Sequence, residues 1–214
     1  MLTIALPTGR SLDSCTVLLE KAGLPVAKLK NAGRNLVIEE NGIRYLLAKP
    51  ADVPVMAYHG AADLAFAGSD MIEESEIPLA ELLDTKLNSC VMAVAGTEEA
   101  AAKFSGSLVK LMGLRVATKY TNIAEKTFNS WGIQVKLLKL NGSIELAPAL
   151  GLSDVIFDIV QTGSTLKANG LVVIKQTMPV SMRLISGAGT VHTKWNKIKD
   201  TVEAVRLAVE KTEA

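Results

Sequence analysis

The sequence predicts an α/β protein folded as two lobes, and three observations carry that prediction. Short apolar runs recur with helical stretches between them, and glycines or small polar residues mark nearly every junction. The chain has 214 residues, 49% of them hydrophobic, without a long linker, low-complexity tract or fixed-period repeat, which allows one large domain or two small lobes. From about Cys90, strands alternating with helices of about ten residues imply right-handed crossovers and a parallel sheet covered on both faces.

The elements follow in order. Leu2 to Leu6 reads as a buried strand ending in the turn Pro7-Thr8-Gly9-Arg10. Ser11 is the expected N-cap of a helix in which Leu12, Cys15, Leu18, Leu19 and Ala22 share a face, and Gly23 ends it. Asn35 to Glu39 and Ile43 to Ala48 flank Asn41-Gly42, a two-residue hairpin turn. Asp52 is placed to cap a helix running to about His59, and Gly60 stops it. Asp63 to Ala67 is another strand, leading through Gly68-Ser69-Asp70 into a helix.

From Cys90 the alternation is cleaner. Cys90 to Ala95 is a strand, Thr97 caps a helix with Glu98 and Glu99 in its first turn, and Leu114 to Thr118 is a strand. Asn122 to Trp131 is helical and stops at Gly132. Ile133 to Leu140 and Asp154 to Val160 are strands around a short helix from Ser143 to Leu150, and Leu171 to Lys175 is one more strand. Lys194 to Glu213 is an amphipathic helix with Trp195, Ile198, Val202, Val205 and Val209 on one stripe. The lobes are expected to be residues 1–90 plus 176–214, and residues 91–175, with ligand in a crevice at the carboxyl ends of the strands.

Lys and Arg total 23 against 22 Asp and Glu, a formal charge of +1, so no broad surface for nucleic acid or an anionic membrane is expected. Cys15 and Cys90 show no metal-like spacing with His59 or His192, so no protein-caged metal is expected and both thiols read as reduced. The apolar start Met1 to Leu6 is too short for a secretory signal, no run approaches the roughly 18–20 apolar residues of a bilayer span, and a cytoplasmic location is expected.

Chemistry concentrates between Asn141 and Leu166. A buried strand carries Asp158 near its carboxyl end and is followed at once by Thr162-Gly163-Ser164-Thr165 and a helix from Leu166. Strand, small-residue loop and helix start together suit an anion: successive N–H groups converge, Gly163 allows close approach, and the hydroxyls add donors. A carboxylate beside such a loop repels phosphate, so Asp158 is better matched to vicinal sugar hydroxyls. That combination reads as a ribose-5-phosphate site. The bland alternative is a strand-to-helix turn in which Asp158 only caps the helix.

The wider run extends from Glu145 through Gly151, Ser153, Ile156, Asp158, Thr162, Gly163 and Thr165 to Leu166, and it resembles the signature of the ATP phosphoribosyltransferase family. Ile4-Ala-Leu-Pro-Thr-Gly-Arg10, Gly60-Ala-Ala-Asp-Leu-Ala-Phe-Ala-Gly-Ser-Asp70, Arg115-Val-Ala-Thr-Lys-Tyr-Thr-Asn-Ile123 and Leu140-Asn-Gly-Ser-Ile-Glu145 resemble further family blocks in family order. The resemblance implies two lobes with a double chain crossing, similar to the type II periplasmic-binding-protein-like fold. It also implies a reaction, in which the phosphoribosyl group of phosphoribosyl pyrophosphate passes to N1 of the adenine of ATP and pyrophosphate leaves with Mg²⁺. N1 is a neutral lone pair that needs no strong base, so the expected contributions are positioning and stabilisation of the leaving group.

On that resemblance, Thr162, Gly163, Ser164, Thr165 and Leu166 hold the 5′-phosphate, while Asp158, Asp154 and Glu145 meet the sugar. Arg34 and Lys49 are the catalytic cations for the departing pyrophosphate, and Arg10 and Asp70 bind ATP. Departures from the usual family pattern are Thr8 for Lys, Lys49 for Arg, Gln161 for Glu, Thr121 for Pro and Ala65 for Gly. The chain ends after its amphipathic helix, as in the short form of the family. That implies a histidyl-tRNA-synthetase-like regulatory subunit in a hetero-octamer with dimeric catalytic units. Two other classes remain open: a non-catalytic two-lobed solute-binding module, and a phosphoribosyltransferase acting on a free base. The latter usually carries adjacent acids before its loop, whereas Asp158 is followed by Ile159.

Overall fold

Leu2–Pro7 forms β1, whose alternation sends Ile4 and Leu6 to one face of a sheet and Ala5 to the other. The computed structural model describes residues 1–104 and 112–213. These divide into two units, Met1–Asn88 with Ser181–Ala214, and Ser89–Val180, so the chain crosses twice from one to the other.

In the first unit β1 is joined by β2 (Val37–Glu40), β3 (Ile43–Ala48), β4 (Leu64–Gly68), β5 (Leu79–Asp84) and, after the return crossing, β11 (Met182–Gly187). They form a 6-stranded sheet in the order β2-β3-β1-β4-β11-β5. One face packs Leu6, Tyr45 and Phe66 against Leu19 of α1 (Arg10–Lys21), Leu29 of α2 (Ala27–Lys30) and Ile198 and Val205 of α9 (Ala188–Glu213). Each fully buried Leu, Ile or Phe contributes roughly 1.5–3 kcal/mol. The other face is lined by Ala5, Ala48, Ala65 and Ala67 under α3 (Val53–Tyr58). Small residues let that helix come close: a Cβ on Gly187 would stand 2.6 Å from the Ala57 carbonyl oxygen.

The second unit contains β6 (Cys90–Gly96), β7 (Arg115–Thr118), β8 (Lys136–Lys139), β9 (Val155–Val160) and β10 (Val172–Val180), ordered β10-β6-β9-β7-β8. On one face of its sheet Phe157 of β9 meets Phe128 of α6 (Thr121–Ser130), ring centroids 6.1 Å apart. On the other, Ala95, Ala117 and Ile156 pack with Ala147 of α7 (Leu146–Ala149) and Leu166 of α8 (Ser164–Ala168). Thr97 accepts the Ala100 N–H at the start of α5 (Glu98–Phe104), as its position predicts.

Four expectations are corrected. The sheet of the second unit is mixed rather than parallel, with β6 antiparallel to β9 and β10, and that of the first is mixed too, with β11 antiparallel to β4 and β5. β6 and β11 are the strands by which the chain enters a unit from the other, so no strand–helix–strand crossover fixes their direction. The first helix begins at Arg10, with Gly9 (φ 85) as N-cap in place of Ser11. β10 continues to Val180 through irregularities at Val173/Lys175 and Gln176/Met178, which break the alternation that marks a strand in sequence. The last helix begins at Ala188 and is broken at Lys194 (φ −125), and Trp195 is exposed while Ile198, Val205 and Val209 are buried. No described helix is long and apolar enough to cross a membrane.

Parallel pairing fixes which loops share an edge. β3, β1 and β4 are parallel, with Pro7 opposite Ala48 and Ala5 opposite Ala65, so Lys49, Thr8-Gly9-Arg10 and Ser69-Asp70 leave at one edge. In the second unit β8, β7 and β9 are parallel, so the segments after Lys139, Thr118 and Val160 share one edge and Arg115 and Asp154 lie at the opposite one.

Candidate functional site

The residues of the Glu145–Leu166 run divide between these two edges. β9 alternates, with Phe157 toward α6 and Ile156 toward α7 and α8, which puts Asp158 on the α7/α8 face next to the carboxyl end. Its Oδ1 accepts the Ile159 N–H at 2.8 Å. Ala93 of β6 lies directly opposite. The loop then turns through Gly163 in the left-handed region (φ 73, ψ 2), a conformation that a β-branched residue rarely adopts. Thr162 Oγ1 and Ser164 Oγ lie 2.9 Å apart and both are exposed, as is Thr165.

Leu166 differs from the exposed loop residues before it. Its side chain is buried with Ile144, Ala147 and Ile156, so it anchors α8 and offers an incoming phosphate only its backbone N–H. Glu145, half-buried at the N-cap of α7, belongs to the loop edge.

Asp154 does not join this group. It precedes β9 at the far edge, roughly 13 Å along the strand from Asp158. Its carboxylate is occupied: Oδ1 accepts Arg115 Nη2 at 2.8 Å, and Oδ2 accepts the Arg115 backbone N–H at 2.8 Å and Nε at 3.3 Å. The Arg115 guanidinium holds the Asp154 carboxyl below the usual carboxylate range against the opposing effect of partial burial. Sharing a face at a spacing of four was the signal that grouped it with Asp158. A strand carries such a pair to opposite ends.

In the first unit Arg10 opens α1, where a cation opposes the helix dipole, and Arg34 and Lys49 are exposed at the same edge of the sheet. None of the three forms an ion pair among the described residues, whereas Arg44, Lys86 and Arg183 each do. Arg34 lines a cavity of about 470 Å³ with Thr8, Leu12, Asp13, Leu36 and Leu47. Asp70 is buried as the second residue of α4 (Ser69–Ser75), but Gly68 rather than Asp70 is the N-cap. The Asp70 carboxylate folds back over Gly68, where an added Cβ would stand 2.1 Å from Oδ1.

Lys119, which follows β7 at the loop edge of the second unit with Nζ 4.6 Å from the Tyr120 ring centroid, escaped the sequence reading. Its signal was its place just after the strand end in the Arg115–Ile123 block. Both His59 and His192 are exposed. Burial pushes the Cys15 thiol up to about 12, which removes it as a nucleophile.

Residues 49–207 match the family profile described as HisG: ATP phosphoribosyltransferase. The chain belongs to the ATP phosphoribosyltransferase family. It is 46% identical over 211 residues to the ATP phosphoribosyltransferase of Thermoanaerobacter sp. (strain X514), covering 98% of this chain and 96% of that one. The ATP phosphoribosyltransferase of Halalkalibacterium halodurans is 42% identical over 212 residues, covering 98% and 97%. Among solved structures, the ATP phosphoribosyl transferase (HisG:HisZ) complex from Thermotoga maritima contains a chain that superposes with a TM-score of 0.84 at 30% identity, covering 99% of this chain and 100% of that one. The likeness therefore extends to the two-lobed α/β fold with its double crossing. As an ATP phosphoribosyltransferase the chain is a pentosyl transferase of the first step of histidine biosynthesis, moving phosphoribosyl to N1 of the adenine of ATP with release of pyrophosphate.

Proposed function

We propose that the second unit binds phosphoribosyl pyrophosphate and the first unit supplies the cations for the polyphosphates. The observation that carries this reading is the meeting, at one edge of the second unit, of the Thr162–Thr165 hydroxyls, the left-handed Gly163 and the Asp158 carboxylate on the strand that feeds them. Thr162, Ser164 and Thr165 hydroxyls and the N–H groups of Gly163 to Leu166 hold the 5′-phosphate. Asp158 accepts from the ribose hydroxyls and Glu145 from a sugar hydroxyl. Lys119 adds a cation at this edge.

Arg34 and Lys49 stabilise charge on the departing pyrophosphate, and Arg10 and Asp70 contribute to ATP binding. As C1′ loses pyrophosphate it becomes cation-like, so the gain comes from positioning the neutral N1 and from charge neutralisation on the leaving group. An ammonium cannot fork onto phosphate as a guanidinium does, so Lys49 serves as a point charge. No group of three His, Cys, Asp or Glu side chains placed to cage a metal occurs among the described residues. Mg²⁺ keeps several waters and is commonly held by substrate phosphates with one or two carboxylates, and Asp158 and Glu145 are the carboxylates of the right type at this edge. The ion, when bound, neutralises pyrophosphate.

The reading includes a cytoplasmic location and a hetero-oligomer of catalytic dimers with a histidyl-tRNA-synthetase-like regulatory subunit. The Thermotoga maritima neighbour, itself from a HisG:HisZ complex, supports that partner. The test is Asp158→Asn, assayed by titration with each substrate separately. Phosphoribosyl pyrophosphate binding is expected to weaken by roughly tenfold or more with ATP binding kept within about twofold. Equal loss of both would overturn the assignment.

A further inference from the structure

Asp154 and Arg115 remain outside the roles above, although one lies in the Glu145–Leu166 run and the other opens the Arg115–Ile123 block. We infer that Arg115 and Asp154 act as a positioning pair for the phosphoribosyl pyrophosphate site, holding in place the segment that presents Glu145. The inference rests on assigning that substrate to the edge carrying Asp158 and the Thr162–Thr165 loop.

Arg115 grips the connection from α7 to β9 at two points. Its Nη1 donates to the Gly151 carbonyl at 2.6 Å, and its Nη2 and Nε fork onto Asp154. The Arg115 backbone adds two bonds, its N–H donating to the Asp154 Oδ2 side-chain oxygen and its carbonyl accepting the Asp154 N–H, each at 2.8 Å. Between the grips the chain turns tightly: Gly151 is left-handed (φ 68), and the Leu152 N–H returns to the Ala147 carbonyl at 2.9 Å.

α7 is the element that needs such support. It has four residues, too few for a helix to hold itself in water. Ala147 is its one buried side chain, with Ile144 buried just before it, while Leu146 and the C-cap Leu150 are largely exposed. Its orientation therefore depends on where its ends are held. Glu145 stands at the leading end and the Arg115 contacts hold the trailing end. β9 is less dependent, since five residue pairs tie it to β6 from Val91↔Val160 to Ala95↔Ile156. Loss of the pair should accordingly tilt α7 and Glu145 rather than shift Asp158.

Neither residue reaches the loop edge, so the effect is transmitted and not a contact with substrate. A guanidinium suits both grips because its donors fan out over three nitrogens in one plane, whereas the three donors of a lysine radiate from a single nitrogen and cannot form the fork onto Asp154.

The experiment measures KM for each substrate and Tm in Arg115→Ala, Arg115→Lys and Asp154→Asn, with Asp158→Asn as reference, on the chain assembled with its regulatory partner. Arg115→Ala is expected to raise the KM for phosphoribosyl pyrophosphate roughly five- to tenfold with the KM for ATP within about twofold, and Arg115→Lys to fall between. Should Arg115→Ala not fold, Arg115→Lys and Asp154→Asn decide by the same comparison. Parallel rises in both KM values that track the fall in Tm would mark the pair as merely structural and overturn the inference. So would an unchanged phosphoribosyl pyrophosphate KM in these variants while Asp158→Asn raises it. If Asp158→Asn also leaves that KM unchanged, the site assignment fails and takes the inference with it.

Discussion

The two units build the edges proposed to bind substrate in opposite ways. In the second, Glu145, Asp158 and the Thr162–Thr165 loop come from one continuous run, held by local bonds and the shared Ile144, Ala147, Ile156 and Leu166 core. In the first, Arg10, Arg34, Lys49 and Asp70 come from four separate segments, brought together by parallel pairing of β3, β1 and β4, by antiparallel pairing of β2 with β3 and by long-range ties. Two of those ties are acids. Burial pushes Asp63 up, but Lys197, the Thr3 N–H and Lys194 outweigh it and hold the carboxyl below its usual range. Asp84 receives Lys86, Ser181 and Arg183, joining the last strand before the outgoing crossing to the first after the return. A contiguous edge should fail locally when one loop residue changes, and an assembled edge should fail one cation at a time or all together.

The largest effect is expected for Gly163→Val. A β-branched residue at φ 73 displaces the loop, and phosphoribosyl pyrophosphate affinity should drop by at least about thirtyfold in a direct titration, with ATP affinity unchanged. A smaller loss there would show that the loop is not a single unit of recognition. Arg34→Ala removes one of several cations, and kcat/KM for ATP should fall roughly tenfold in steady-state assays, with stability unchanged because the side chain is exposed and has no ion pair among the described residues.

Acid tests one of the ties of the first unit. Asp84 is held at about 2 from an ordinary 3.8, because its bonds to Lys86, Ser181 and Arg183 outweigh the opposing effect of burial. A depressed folded-state pKa means stability that is present above the unfolded value and lost as pH falls from about 4 toward 2. Asp84→Asn should remove that part of the acid dependence of Tm, with the deficit of the variant largest near neutrality and shrinking below pH ~3. The smallest effect belongs to Ser153→Ala. The Ser153 hydroxyl is buried without a hydrogen-bond partner among the described residues, so its removal should leave Tm unchanged or raise it slightly, by up to about 1 kcal/mol in stability.

Most elements could be read in advance where local chemistry forces them. The Asn41-Gly42 hairpin pairs Glu40 with Ile43 as its positive-φ turn requires, and Gly23, Gly60 and Gly132 all adopt left-handed conformations at helix ends. β5 and β11 gave no comparable signal, because their partners are remote in the chain and nothing local marks them. Asp154 shows the limit within a recognised run: residue type and face were legible, but the Arg115 partner lies 39 positions away.

Composition, periodicity and turn chemistry were enough for an α/β chain of two lobes and for the loop around Gly163, and the Glu145–Leu166 run carried the resemblance to the family, since each depends on residues close together in sequence. Strand direction, the separation of Asp154 from Asp158 and the grouping of Arg10, Arg34 and Lys49 at one edge emerged only from the folded chain. Those features depend on which strand lies beside which, and that is set by packing over the whole core, from Phe66 and Ile198 in one unit to Phe128 and Phe157 in the other.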